Sequence, residues 1–207
     1  MKVDSKIHSI DNIHLDIPYT WIMRRLGYDK DDHPDNHTLK MIEENMAVAL
    51  SNSECSGAFR FLKIESIVKD KILLEEKIQI KSLSIAKFLS GCRYVALIFA
   101  TTGGKIVNEI EADIHTSKVT EALILDAAAS EIADAALEQV QSAASASAKK
   151  IGLSMKDSRF SPGFGDFHLS NQKIFFNALK MEDHGLSLSK TFQIIPEKSV
   201  TAICGLK

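Results

Sequence analysis

The nine residues RFSPGFGDF, positions 159–167, set an arginine, a proline, two glycines and three phenylalanines side by side in a chain that has only 10 Gly and 4 Pro. Each of these types carries a binding chemistry. Arg159 offers a planar fork of N–H donors that fits a carboxylate. Pro162 fixes φ, and Gly163 lets the main chain come close to a ligand where a Cβ would block it. Main-chain N–H and C=O groups presented in this way can meet the edge of a flat heterocycle while a phenylalanine ring covers its face. A molecule with a carboxylate at one end and a purine at the other matches that inventory. The same residues also make a plain connector, with Arg159 paired to a local acid, Phe160, Phe164 and Phe167 anchored in the core, and Pro162-Gly163 as the turn. Residue chemistry alone leaves both readings open.

Elsewhere the reactive residue types do not assemble. His33 and His37 stand four apart among Asp31, Asp32 and Asp35, which are metal-ligand types. Pro34 and the density of charge argue instead for a solvated loop, because i, i+4 ligation needs a helix. Asp113-Ile114-His115 approaches the D-x-H-x-x-G pattern of cobalamin-binding modules, but Lys118 replaces the glycine. His115 therefore reads as a polar position near a helix start. Gly103-Gly104-Lys105 lacks the rest of a P-loop, no G-x-S-x-G occurs, and Glu43-Glu44 and Glu75-Glu76 read as solvated faces. Cys55, Cys92 and Cys204 form no C-x-x-C pair and fit reduced thiols better than a disulfide or a zinc site. Neither a catalytic constellation nor a metal site is expected.

Charge and hydropathy exclude further classes. The 25 basic residues nearly balance the 27 acidic ones, so no electrostatic footprint for nucleic acid or an anionic membrane is present. The longest apolar run, YVALIFA, is too short to cross a bilayer, and the first residues lack the apolar core of a signal peptide. A cytoplasmic protein is expected, with one domain over residues 1–207.

The elements that must position the 159–167 stretch read as α+β. A short helix is expected over DIPYTWIMRRLGY, with Asp16 as cap, Pro18 in the first turn and Gly27 as stop. Leu39, Ile42, Met46, Ala49 and Leu50 fall at helical spacing. FRFLKIESIV reads as a strand, KILLEEKIQIKS as one or two more, and RYVALIFATTGG as a central strand. One or two helices in sequence then end before Gly152, with eleven alanines between 122 and 148 that permit close approach to a sheet or another helix. Ser170 is expected to cap a helix through Ile174, Phe175, Ala178 and Leu179, stopped near Gly185. KTFQIIPEKSVTAICGL reads as two strands around a Pro196-Glu197 turn.

The 159–172 stretch resembles the R-x-x-x-G-Y signature of the S-adenosylmethionine-binding activation domain of cobalamin-dependent methionine synthase. It is similar above all to the free-standing relatives, which run close to R-[FY]-S-P-G-Y-G-D-[WF]-x-L…Q. Arg159, Phe160, Ser161, Pro162, Gly163, Phe164, Gly165, Asp166, Phe167, Leu169 and Gln172 carry it. LGY at 26–28, ATTGG at 100–104, LILDAAAS at 123–130 and PEKSVTAICGL at 196–206 agree in order, so the resemblance covers nearly the whole chain. Phe164 stands where the family usually has Tyr, and Ala128 where relatives tend to have Gly.

The resemblance implies a single C-shaped α+β domain whose twisted antiparallel sheet is flanked by helices. It also implies S-adenosylmethionine held for reductive methylation of an oxidised cob(II)alamin. The cobalamin would ride on a separate methionine synthase or corrinoid methyltransferase protein, and a flavodoxin- or ferredoxin-type protein would supply the electron. Arg159 would engage the ligand's carboxylate, the main chain of residues 159–163 would meet the adenine, and Phe164 would give ring contact without the hydroxyl. Such a domain acts by positioning and needs no acid or base of its own. The alternative is a non-catalytic interaction module that kept the fold and lost the ligand.

Overall fold

A computed structural model describes residues 3–32 and 34–207 of the chain; His33, of the His33–His37 pair, lies outside the described residues. Strand β1 (Ile7–Ile10) leads to α1 (Tyr19–Arg25) and α2 (Asn36–Ser51). The long β2 (Ser56–Val68) follows, then β3 (Lys71–Leu74), β4 (Gln79–Lys81), α3 (Leu83–Phe88) and β5 (Tyr94–Thr101). Helices α4 (Lys105–His115) and α5 (Val119–Lys150) come next, then α6 (Gln172–Ala178), β6 (Ser187–Leu188), β7 (Ile194–Ile195) and β8 (Ser199–Leu206). The main sheet runs β4-β3-β2-β5-β8, wholly antiparallel, and β1 pairs with the first half of β2 on the edge whose second half takes β3. The sheet curls into a half-barrel flanked by helices, the α+β class that the pattern of elements calls for.

Both faces of this sheet are covered, and that is why YVALIFA is apolar without alternation. One face carries Phe59, Phe61, Ala96, Ile98, Ala202 and Cys204 against α5, α2 and α4. The other carries Leu62, Val95, Leu97, Phe99 and Ile203 against α3, Phe167 and α6. On α5, Ala128, Ala129, Ala136, Ala144 and Ala148 are buried on the first face. Gly57 of β2 completes the fit, because a Cβ there would lie 2.3 Å from the Phe99 carbonyl oxygen and 2.7 Å from Val140 Cγ2 of α5.

Local signals are confirmed in part. Asp35 caps α2 by accepting from the N–H groups of His37 and Thr38, which holds its carboxyl below the usual range, the Thr38 hydroxyl being the largest cause. Helix α1 begins after Pro18 rather than under an Asp16 cap, and Gly27 follows it with φ +92°. His115 ends α4 instead of standing near a helix start, because the apolar periodicity of the segment runs through it while Ser117 turns with φ +64°. Ser170 is not a cap; it lies in a 3₁₀ turn over Leu169–Asn171 that leads into α6. The two strands flanking Pro196 exist, but β7 pairs with β6 while β8 joins the main sheet. Strand β1 and helix α3, each six residues or shorter, left no readable period. No helix among the described residues is long and apolar enough to cross a membrane.

Gly57→Ala should cost about 3 kcal/mol of unfolding free energy, at the upper end for overpacking, whereas Gly104→Ala, where a Cβ meets nothing within 4 Å, should cost under about 1 kcal/mol. Urea unfolding of the two variants measures both; equal costs would mean that the α5–sheet approach is not set by Gly57.

Candidate functional site

The chain leaves α5 and runs back along the outer edge of β8. Main-chain bonds link Ser154 with Lys207, Lys156 with Gly205, and Phe160 with Ile203, the first and last pairs through both N–H and C=O. This pairing fixes side-chain direction at the start of the 159–167 stretch. Phe160 falls on the Ile203 side, where its ring centroid lies 5.9 Å from that of Phe88 and 6.3 Å from that of Phe167. Arg159 falls on the other side, toward α5. There its Nη1 donates to Gln141 Oε1 at 3.1 Å, and its Nη2 lies 3.8 Å from Asp134 Oδ1. Gln141 in turn donates to the Asp157 carbonyl, tying the helix to the approach of the loop.

Beyond Phe160 the loop is held at several points. Gly163 N–H donates to the Phe167 carbonyl at 2.7 Å. Phe167 is fully buried and packs on Phe175. The Asp166 carboxylate accepts from the Ser82 hydroxyl at 2.7 Å and from the N–H groups of Leu83 and Ser84 at the start of α3. These bonds, the Ser82 hydroxyl first, hold the Asp166 carboxyl far below the ordinary carboxylate range. Gly163 with φ +100° and Gly165 with φ +56° make the bends. Of the three phenylalanines only Phe164 faces outward, 67% exposed.

The two readings of the sequence thus divide the loop between them. Phe160 and Phe167 are anchors, and Arg159 faces an acid, though Asp134 of α5 rather than one nearby in the chain. Phe164 anchors nothing. Main-chain capacity also remains: Phe160 is used by β8 and Gly163 N–H by the turn, but the N–H groups of Arg159 and Ser161 and the carbonyls of Arg159, Pro162 and Gly163 have no partner among the described residues. Arg159 keeps several of its five donors free.

Helix α5 supplies a part of the site that sequence reading passed over. Asp126, Ser130, Asp134 and Gln141 lie on one arc of the helix, in a stretch rich in alanine. At one end Lys198 Nζ bonds Asp126 Oδ1 at 2.6 Å and Ser130 Oγ at 2.9 Å. At the other stands Arg159, about 12 Å away at the rise of a helix. Arg25, at the end of α1, pairs with Glu131 beside this strip at 2.5 Å. Burial raises the Asp134 carboxyl above its ordinary value, and the Arg159 guanidinium opposes that shift. The available signal was a polar residue every fourth place, 126, 130 and 134, in a helix otherwise rich in alanine.

Two of the three cysteines are buried. Burial pushes the Cys55 thiol up to about 11 and the Cys204 thiol up to about 12, the latter despite Arg159. Asp16 is exposed. A cleft of about 400 Å³ lined by Ser82, Asp166, His168 and Ser170 adjoins the far side of the loop.

Over the whole chain this architecture has a known counterpart. The structure matches a crystal structure of the MetH reactivation domain bound to AdoHcy with a TM-score of 0.65, covering 97% of this chain and 78% of that one at 14% identity. The chain shares that fold. At the level of sequence no family model and no curated protein matches it, so the likeness is one of backbone architecture, with the curled sheet and its helices retained while most side chains differ.

Asp166→Asn should lower the thermal midpoint at neutral pH by weakening the tie between loop and α3. Because the folded-state pKa of Asp166 is depressed, its contribution is present above the unfolded carboxyl value, about 4, and is lost as pH falls through the lower folded value. The gap between wild type and Asp166→Asn in thermal melts should therefore close below about pH 4. A gap constant down to strongly acid pH would show that the carboxylate is not the anchor.

Proposed function

We propose that this protein binds S-adenosylmethionine between the 159–164 loop and the polar strip of α5. There it presents the sulfonium methyl for reductive methylation of a cob(II)alamin carried on a separate corrinoid methyltransferase or methionine synthase. The observation that carries this reading is the whole-chain likeness to a reactivation domain crystallised with AdoHcy. In this chain the loop that resembles the family's binding signature is rigidly pinned while keeping free donors and acceptors. Arg159 is the group for the ligand carboxylate, Asp134 beside it faces the α-ammonium, and the unpaired main chain of residues 159–163 takes the adenosyl end. Phe164 offers an exposed ring at the tip.

The protein's own contribution is positioning. Holding the sulfonium in a fixed place converts a meeting of two freely moving reactants into a docking step. The bound ligand supplies the methyl group. The electron comes from a flavodoxin- or ferredoxin-type donor, and the demethylated ligand leaves as S-adenosylhomocysteine. No side chain here has to gain or lose a proton, consistent with a site made of an ion-paired arginine and main-chain groups. The partner proteins and a cytoplasmic setting belong to this proposal.

A second reading, an interaction module that kept the fold without the ligand, has one observation in its favour. Arg159 is already engaged by Gln141 and Asp134, and Phe164 lacks the hydroxyl usual at its position in the family.

Calorimetric titration with S-adenosylmethionine separates the two. Wild type should bind saturably, and Arg159→Ala should bind about tenfold or more weakly, the loss of one charged hydrogen bond. Absence of binding at millimolar ligand would overturn the proposal in favour of the second reading.

A further inference from the structure

A second cavity, of about 420 Å³, lies between β2, the 3₁₀ turn Glu75–Lys77 that follows β3, and the outer side of α6. None of its lining residues belongs to the 159–164 loop or to the polar arc of α5. Its volume is at the lower end for ligand pockets, so the occupant it fits is small.

Arg60 of β2 forms part of the wall, its side chain only 14% exposed. Its Nε donates to the Ser5 carbonyl at 2.6 Å and its Nη1 to the Ala178 carbonyl, at the end of α6, at 3.1 Å. Its Nη2 donates to Glu76 Oε1. Two main-chain carbonyls thus fix the guanidinium, and the guanidinium fixes the Glu76 carboxylate. Glu76 and Lys77 have φ of +59° and +62°, two successive left-handed residues without a glycine. That conformation is costly, persists only where the surroundings impose it, and concentrates at ligand sites.

Helix α6 brings a second charge to the same space. Lys173 and Asn177 stand one turn apart on it and both line the cavity. No carboxylate lies within 4 Å of Lys173 Nζ among the described residues. Glu76 and Lys173 therefore share a cavity with opposite charges and do not meet. Ile78 and Ile174, half-buried against the second core, give it an apolar wall.

We propose that this cavity is a binding site for a free α-amino acid with an apolar side chain. Opposite charges held apart in one cavity fit a small ligand that carries both charges itself. The ligand carboxylate bonds the Lys173 ammonium and the Asn177 amide. The ligand ammonium bonds Glu76 Oε2, the oxygen that Arg60 leaves unused. Its side chain lies on Ile78 and Ile174. Each ligand charge then leaves water for a partner of opposite sign, which offsets desolvation at both ends. A simple carboxylate would leave Glu76 beside a like charge, and a simple amine would stand beside Lys173. Arg60 is a positioning residue, holding Glu76 in place. The site does not depend on the reading of the protein as a binder of S-adenosylmethionine.

The test is an NMR titration of the ¹⁵N-labelled full chain with L-leucine, with leucinamide, which lacks the carboxylate, and with isocaproate, which lacks the ammonium. L-leucine should bind saturably and move the side-chain amide resonances of Asn177 and of Gln79, which also lines the cavity. Leucinamide and isocaproate should each bind about tenfold or more weakly, the loss of one charged hydrogen bond. Lys173→Met, at an exposed position, should weaken L-leucine by a similar factor. No shift at millimolar L-leucine, or shifts that leave Asn177 and Gln79 unmoved, would overturn the site. Equal binding of L-leucine and either analogue would overturn the assignment of a dipolar ligand. If Lys173→Met does not fold, the three wild-type titrations still decide the question.

Discussion

The close seating of α5 on the sheet is the constraint on which the remaining structure depends. A 32-residue helix can lie this near to β2, β5 and β8 only because its inner face is mostly alanine and Gly57 removes the one Cβ that would strike both Val140 and the Phe99 carbonyl. Small side chains contribute little hydrophobic area each, so the stability of this layer comes from dense packing of many contacts. The seating also fixes where the polar arc of α5 emerges. With the helix held against the sheet, Asp126, Ser130, Asp134 and Gln141 come out beside the outer edge of β8, where Lys198 and Arg159 meet them. Core and site are two sides of one helix.

The 159–167 loop shows how a stretch rich in Gly and Pro becomes rigid. Its start is a strand partner of β8, its end is tied through Asp166 to the first turn of α3, and Phe167 is sunk in the second core. Glycine at 163 and 165 provides the positive φ values that connect these anchors. What stays free is a short tip and a set of main-chain groups, which is the division of labour expected of a binding loop on a rigid scaffold.

Much of this was legible in the residues. The continuous apolar run of β5, the Asp35 cap and the alanines of α5 each stated their place in the fold, because each follows from local sterics or from burial on two faces. The loop was visible as a concentration of special residue types. What escaped notice was non-local. Nothing near Arg159 in the chain points to Asp134 or Gln141, and their nearness follows from the strand pairing of residues 154–160 with β8. Strand β1 and helix α3 were invisible for a different reason: elements this short exist because β2 and Asp166 hold them, not because of their own periodicity. Asp16 and Ser170 looked like caps by type, yet the helices beside them start elsewhere, since a capping residue matters only where the chain turns into a helix.

The pairing of residues 154–160 with β8 has a consequence for solubility as well. Strand β8, SVTAICGL, is an eight-residue strand with almost no charge, and as a bare sheet edge it would invite another chain to add on. The returning segment, with Lys156, Asp157 and Arg159, covers most of that edge with charge, while the opposite edge is blunted by the three-residue β4 with its Lys81. The segment that leads into the 159–167 loop thus helps keep the sheet from growing into a fibre.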